Sequence, residues 1–215
     1  GALAPASPVT APVRTVYFGG GTPSALPSGQ LIALLQGVRH LLPNKPFEWT
    51  VELNPEGLSR KLLQTLAAGG VNRISLGVQS LEEAGLLSLG RVATAATTRR
   101  AVELIAAEWQ GRWNADLMVG YPGDRPNRVV HDLRYLTDHG ARHLSVYALT
   151  VEAGTALAAA LARGEVRLPR EERVLELLAE AEAFLASRGV ERYEVSNYAA
   201  PGEESLHILR YWRMD

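Results

Sequence analysis

Three polar side chains stand near the carboxyl ends of predicted strands, where they could bind a ligand together. Glu52, Gln79 and Asp116 each lie on the polar parity of a short β-rich run. Two carboxylates and an amide could accept hydrogen bonds from ribose hydroxyls or from an ammonium group. Arg91, which follows a Leu-Gly pair, could bind a carboxylate through its forked guanidinium, although a helix cap or a surface position is the commoner role for such an arginine. These residues are candidates for one polar ligand site.

A glycine-rich loop, Gly19-Gly20-Gly21-Thr22-Pro23-Ser24, follows the first predicted strand. Glycine permits positive φ and lets the backbone approach a ligand closely. The loop lacks the Gly-Lys-Ser/Thr of a Walker motif, and the next helix begins too late for the dinucleotide fingerprint. Two interpretations stay open at this point. The loop is a nest of backbone N–H groups for a ligand, or it is a tight turn between strand and helix.

The sequence contains no cysteine. Its residues therefore form no disulfide, no thiolate metal or iron-sulfur site and no cysteine nucleophile, which agrees with a reducing compartment and leads us to expect a cytoplasmic protein. The five histidines lack metal-ligand spacing, so no metal site is expected. His207 begins an aromatic segment, His-Ile-Leu-Arg-Tyr-Trp, where it could contact a haem or an interface, although a capped or surface histidine is the commoner case. The sequence has no GxSxG motif to indicate a hydrolase.

Charge and hydropathy exclude two classes of partner. The formal net charge is -1, which gives no electrostatic footprint for nucleic acid. No apolar run approaches the roughly 20 residues of a membrane span. Residues 1–12 are rich in Ala and Pro and resemble no signal peptide, so we expect a flexible leader there.

Predicted strands alternate with predicted helices along the rest of the chain. The strands cover 15–18, 47–53, 73–78, 113–119 and 143–149, with a further candidate over 192–198. The helices cover 28–42, 59–68, 81–89, 95–108, 126–139 and 169–188. This alternation is typical of parallel βαβ units covered by helices.

The polar parity of the central strands favours a barrel over a doubly wound sheet. Both faces of a doubly wound sheet are buried under helices, so its strands should be almost continuously apolar. Here each central strand has one apolar and one polar face, as Trp49, Val51 and Leu53 alternate with Thr50 and Glu52. We therefore expect a partial (β/α) barrel with a polar lumen that holds a ligand. A lumen network of hydrogen bonds without a ligand is the alternative.

Several blocks together resemble the radical S-adenosylmethionine (SAM) family of oxygen-independent coproporphyrinogen III oxidases and related haem chaperones. They are residues 17–24 (YFGGGTPS), 51–55 (VELNP), 70–80 (GVNRISLGVQS), 89–91 (LGR) and 116–123 (DLMVGYPG). The segments 144–152 and 192–199 are nearer the chaperone branch. The resemblance extends from about Val13 to Trp212.

The resemblance implies a radical SAM partial barrel over 13–155, lacking its first strand, with a C-terminal extension of helices and strands over 156–215. It implies that Gly20, Gly21, Thr22 and Glu52 contact the methionyl end of SAM. It implies that Arg91 binds the SAM carboxylate, and that Gln79 and Asp116 bind the ribose. Haem or porphyrin is the other small molecule implied, with His207 as a candidate haem contact.

Two departures from the family pattern concern activity. The family holds a [4Fe–4S] cluster with an N-terminal CxxxCxxC, which this sequence lacks. The family motif His-Asn-x-x-Tyr-Trp has Ile208 in place of Asn, and Gly-Leu-Pro-Gly-Gln-Thr has become Gly-Tyr-Pro-Gly-Asp-Arg over 120–125. We therefore expect a truncated or inactive form that binds SAM, with a non-catalytic haem-binding or interaction protein as the alternative.

Overall fold

The computed structural model describes residues 12–20 and 23–214 as an alternation of strands and helices. The strands are β1 (Thr15–Phe18), β2 (Glu48–Leu53), β3 (Arg73–Gln79), β4 (Arg112–Val119), β5 (His143–Ala148), β6 (Glu191–Arg192) and β7 (Asn197–Ala199). The helices are α1 (Ser28–Leu41), α2 (Arg60–Gly69), α3 (Glu83–Ser88), α4 (Ala95–Glu108), α5 (Arg128–Asp138), α6 (Ala156–Ala162), α7 (Glu171–Ser187) and α8 (Leu206–Arg213).

The strand order confirms the barrel type of winding. The sheet runs β1-β2-β3-β4-β5-β7-β6, and the first five strands are parallel neighbours in chain order. Each crossover from one parallel strand to the next is right-handed, and the strand order never reverses. All the crossover helices therefore cover the same face of the sheet, and the opposite face lines a lumen. A doubly wound sheet would show a reversal of strand order, which is absent from the described strands.

The two faces of the central strands differ as their parity predicts. On the outer face, Trp49, Val51, Ile74, Leu76 and Val119 are essentially inaccessible to solvent and belong to the main hydrophobic core. The lumen face carries buried polar side chains instead, namely Thr50, Arg73, Ser75, Gln79, Asn114, His143, Ser145 and Asn197. These groups bond largely to one another, as a buried polar face requires.

The predicted strand over 192–198 is wrong in its extent. The chain forms two short strands there, β6 and β7, which pair antiparallel with each other, and β7 pairs antiparallel with β5. Glu194 interrupts the run because its carboxylate accepts hydrogen bonds from the backbone N–H of Ser196 and from Asn197. This local turn replaces strand pairing at the point where the chain reverses.

Two helices were not predicted. Helix α6 has Thr155 as its N-cap, and α8 has Ser205, each accepting a hydrogen bond from the backbone N–H three residues later. Among the described residues, no helix combines the length and hydropathy that crossing a bilayer requires.

Candidate functional site

A polar cavity lies at the carboxyl ends of β2, β3 and β4. Its volume is about 470 Å³, and its walls include Glu52, Gln79, Arg91 and Asp116. These are the four candidate residues that stand on separate elements in the sequence. The parallel register places the ends of adjacent strands at one edge of the sheet, which explains why they meet. We call this space the carboxyl-end cavity.

The Glu52 carboxylate is held by two donors. The hydroxyl of Tyr17 donates to Oε1 at 2.7 Å, and the backbone N–H of Gly20 donates to Oε2 at 3.1 Å. Burial, and then the hydrogen bond to Glu52, raise the pKa of Tyr17, so its hydroxyl stays protonated and continues to donate. Each carboxylate oxygen keeps lone-pair capacity for a further donor, such as a ligand ammonium.

Glycine is required in this loop for close approach and for backbone conformation. A Cβ at position 19 would lie 2.7 Å from the Tyr17 ring and 2.8 Å from the Glu52 carboxyl group. Gly20 adopts a φ of +77°, which L side chains rarely take. The described part of the loop is thus a tight turn that also bonds a candidate site residue. Gly21 and Thr22, the other candidates in this loop, lie outside the described residues.

Gln79 lies in the cavity wall at an irregularity of β3. Leu76 pairs with Ala115 and Gln79 pairs with Leu117, so three steps along β3 oppose two along β4. Gln79 itself has a φ of 64°, an unusual value for a residue with a side chain. Such a bulge redirects a side chain, and strained backbone of this kind clusters at functional sites.

Asp116 is the most constrained group of the site. Ser75 Oγ donates to Asp116 Oδ2 at 2.9 Å, and Asn114 Nδ2 donates to Oδ1 at 3.0 Å. Burial raises the pKa of Asp116 and the negative charge of Glu52 raises it further, while hydrogen bonds from Ser145, Ser75 and Asn114 oppose the shift. Two carboxylates facing one cavity attract a ligand that carries positive charge.

Arg91 supplies the opposite charge. It is exposed, follows Gly90 with a φ of +64°, and lies on the cavity wall. Its guanidinium makes no ion pair within the described part of the chain, so it is available to a ligand carboxylate.

His207 lies outside the carboxyl-end cavity. It sits in the first turn of α8, where its Nδ1 is 3.0 Å from Thr15 Oγ1 and its ring stacks on Tyr17 with centroids 4.9 Å apart. Its backbone N–H donates to the buried carboxylate of Glu48 at 2.9 Å. Among the described residues, Tyr17, which holds Glu52, is the one that links His207 to the site.

Sequence reasoning missed Tyr17 and the buried charges behind the site. The alternation of β1 gave no reason to single out Tyr17.

Arg128 bonds to both oxygens of Asp124 and to Asp132, each at 2.9 Å, and all three side chains are almost fully buried. Asp132 also accepts from the backbone N–H of Leu81 at 3.2 Å, which ties the segment after Gln79 to α5. The spacing of four between Asp124, Arg128 and Asp132 was the available signal.

Comparison with known proteins gives a consistent family. Residues 8–136 match the model described as the radical SAM superfamily. The chain is 38% identical over 201 residues to "Heme chaperone HemW" of Mycobacterium tuberculosis (strain CDC 1551 / Oshkosh), covering 93% of this chain and 52% of the relative. It is 37% identical over 202 residues to "Heme chaperone HemW" of Escherichia coli (strain K12), covering 94% and 52%. The chain thus spans about half the length of these relatives.

A solved structure shares the fold. Coproporphyrinogen III oxidase (HemN) from Escherichia coli, titled a radical SAM enzyme, superimposes with a TM-score of 0.77 at 24% identity. The match covers 93% of this chain and 46% of that one. At this identity the likeness is one of fold.

Proposed function

Since this chain belongs to the radical SAM superfamily, we propose that its carboxyl-end cavity binds SAM, within a protein of the haem-chaperone kind. One observation carries the proposal. Glu52, Gln79, Arg91 and Asp116 come from separate elements and line a single cavity. A lumen network without a ligand does not account for the Arg91 guanidinium, which makes no ion pair within the described part of the chain although two carboxylates line the same cavity.

The charges of the cavity fit the charges of SAM. The SAM ammonium and sulfonium groups are positive, and Glu52 and Asp116 place negative charge at the cavity. Asp116 is costly to ionise in its buried position, so a cationic ligand would stabilise its carboxylate. Arg91 matches the SAM carboxylate in the same way.

Each residue has a role in this proposal. Glu52, with the glycine loop of Gly20, Gly21 and Thr22, binds the methionyl end. Arg91 binds the carboxylate as a fork, while Gln79 and Asp116 accept hydrogen bonds from the ribose. Tyr17 orients Glu52 through its hydrogen bond to Oε1. In the family's chemistry, bound SAM supplies a carbon radical when a [4Fe–4S] cluster reduces it.

The residues present do not fit that cluster. The sequence has no cysteine, and the described residues include no group of three His, Asp or Glu side chains that could hold a metal ion. We therefore assign these residues to SAM binding alone and derive no step through a cluster.

We also propose a cytoplasmic location, because the absence of cysteine from the sequence agrees with a reducing compartment.

Isothermal titration with SAM tests the proposal. We expect the parent chain to bind one equivalent and Gln79→Ala and Asp116→Ala each to weaken binding by about tenfold, since hydrogen bonds to charged groups contribute about 1.5–3 kcal/mol. Asp138→Ala, a surface carboxylate paired with Arg188, is the matched control and should bind as the parent does. A parent chain that gives no binding heat refutes the proposal.

Haem binding is a second candidate function, favoured by His207 and by the relatives named haem chaperones. Nδ1 of His207 is hydrogen-bonded to Thr15 Oγ1, and Nε2 has no hydrogen-bond partner among the described residues. Nε2 is the atom that could ligate iron. Adding haemin should give a Soret shift that His207→Ala abolishes and that His131→Ala, an exposed histidine, retains. A shift that is equal in all three proteins rejects His207 as the ligand.

A further inference from the structure

A second cavity opens at the opposite, amino ends of the strands. Its volume is about 600 Å³, and its walls include Glu48, Arg73 and Arg112, which begin β2, β3 and β4. Glu48 and Glu52 are four residues apart on β2, so the two cavities are separated by about 13 Å of strand. We call this space the amino-end cavity.

Positive charge exceeds negative charge on its walls. Three guanidinium groups, those of Arg73, Arg112 and Arg142, face two carboxylates, those of Glu48 and Glu203. The ion pairs among them are loose. Arg73 Nη1 lies 3.5 Å from Glu48, and Arg112 Nε lies 3.7 Å from Glu203.

Glu48 is occupied elsewhere and neutralises Arg73 poorly. Its two oxygens accept from Ser205 Oγ at 3.0 Å and from the backbone N–H groups of Leu206 and His207 at 3.1 and 2.9 Å. The carboxylate thus stabilises the N-terminus of α8, and its contact with Arg73 is the longest of the four.

The buried Arg73 therefore carries charge that its counter-ions neutralise only in part. Only 1% of it is exposed, and its Nε has no acceptor among the described residues. Its Nη2 donates to His143 Nδ1 and to the backbone oxygen of Glu203, which are neutral groups. Burial lowers the pKa of Arg73. The charge of Glu48 opposes this shift, and the neighbouring Arg112 adds to it with a smaller effect. A buried cation without a full counter-charge is costly, so an added anion would be stabilising.

Aromatic side chains form part of the remaining wall of the amino-end cavity, beside the polar residues Asn72, Gln110 and His139. Trp109 and Trp113 are each 8% exposed and lie on the wall, and Phe47 stands at 63% exposure beside them. The Trp109 indole donates to the backbone oxygen of Arg112 at 2.9 Å, which fixes the position of the ring. Aromatic walls beside arginine suit a planar ligand with an acidic group.

We propose that the amino-end cavity is a second ligand site, which takes a small molecule with a carboxylate or phosphate group attached to a planar apolar part. Arg112 and the exposed Arg142 bind the anionic group, and Trp109 and Trp113 contact the planar part. The buried Arg73 adds positive electrostatic potential to the cavity wall without itself contacting the anionic group. The site is independent of SAM, because it shares no wall residue with the carboxyl-end cavity.

Titration of the full chain with 2-naphthoate tests this site, with 2-naphthalenemethanol as the uncharged match. Calorimetry gives the affinity, and quenching of tryptophan fluorescence places the ring. Arg112→Gln and Arg142→Gln alter exposed side chains, so at least one should fold as the parent does. Each should weaken naphthoate binding by about tenfold, since charge-assisted hydrogen bonds are stronger than neutral ones. Arg170→Gln, on the exposed N-cap of α7, is the control and should bind as the parent does.

Three results overturn the proposal. The parent chain fails to bind naphthoate at millimolar concentration, or it binds the alcohol as tightly as the acid. The third such result is a folded Arg112→Gln or Arg142→Gln protein that binds naphthoate as tightly as the Arg170→Gln protein does. None of these depends on whether SAM binds.

Discussion

Replacing Arg128 with methionine should strongly destabilise the protein, because it leaves two carboxylates buried without a counter-charge. The guanidinium bonds to Asp124 and Asp132 at 2.9 Å and also donates to the backbone oxygen of Met118 at 2.9 Å. Exposure of the three side chains is 3% or less. Breaking such a buried pair costs about 3–5 kcal/mol. With a urea m-value of about 2.5 kcal/mol/M, a loss of about 4 kcal/mol moves the unfolding midpoint down by roughly 1.5 M.

The loss should depend on pH. Burial already raises the pKa of Asp132, and Arg128 opposes that shift, so removing Arg128 raises the pKa further. A carboxyl group whose folded pKa lies above its unfolded value destabilises the fold when ionised, and this penalty fades as pH falls through the folded pKa. The difference in unfolding free energy between parent and Arg128→Met should therefore be larger at pH 8 than at pH 5.

Two further variants make the measurement specific. Arg60→Met removes a surface partner of Glu108 and should leave the urea midpoint unchanged. Adding Asp124→Asn and Asp132→Asn to Arg128→Met removes the buried charges and should recover part of the stability. A loss below 1 kcal/mol for Arg128→Met, or a loss that is equal at pH 5 and pH 8, would refute the reasoning.

Three other substitutions test the carboxyl-end cavity and α8. Tyr17→Phe removes the 2.7 Å hydrogen bond to Glu52 and should weaken SAM binding by about tenfold in calorimetry; unchanged affinity contradicts the orienting role. Gln79→Gly relieves a φ of 64° and should raise the unfolding free energy by up to about 1 kcal/mol in urea, while SAM binding weakens by about tenfold as it does for Gln79→Ala. Ser205→Ala removes the N-cap of α8 and its bond to Glu48 and should cost about 1–2 kcal/mol in the same assay; a smaller cost argues against Glu48 and Ser205 anchoring the helix.

Periodicity in the sequence was enough to predict the elements around the site. The alternating parity of β2, with Trp49, Val51 and Leu53 against Thr50 and Glu52, predicts one buried apolar face and one polar lumen face. Helix α2 was predicted from Ser59, whose side chain accepts from the N–H of Leu62 as an N-cap should. Such signals are local, because they depend on a few neighbours along the chain.

The C-terminal part was predicted less well, for a physical reason. The pairing of β7 with β5 joins residues more than fifty positions apart, and no local pattern records which strand a short segment will meet. Helix α8 depends on Glu48 as an acceptor for its first N–H groups, from a strand over 150 residues earlier. Contacts of this range are decided by packing.

The sequence by itself determined the type of fold, the polar face of each strand and the residue types available for a ligand. These features follow from the spacing of apolar and polar residues along the chain, which is local. Only the tertiary structure decided which of those residues meet. The register shift between β3 and β4 near Gln79, the link from His207 through Tyr17 to Glu52, and the burial of Arg73 and Arg128 all depend on contacts between distant elements. Whether an arginine is solvated or buried follows from what packs over it, and residue type alone does not carry that information.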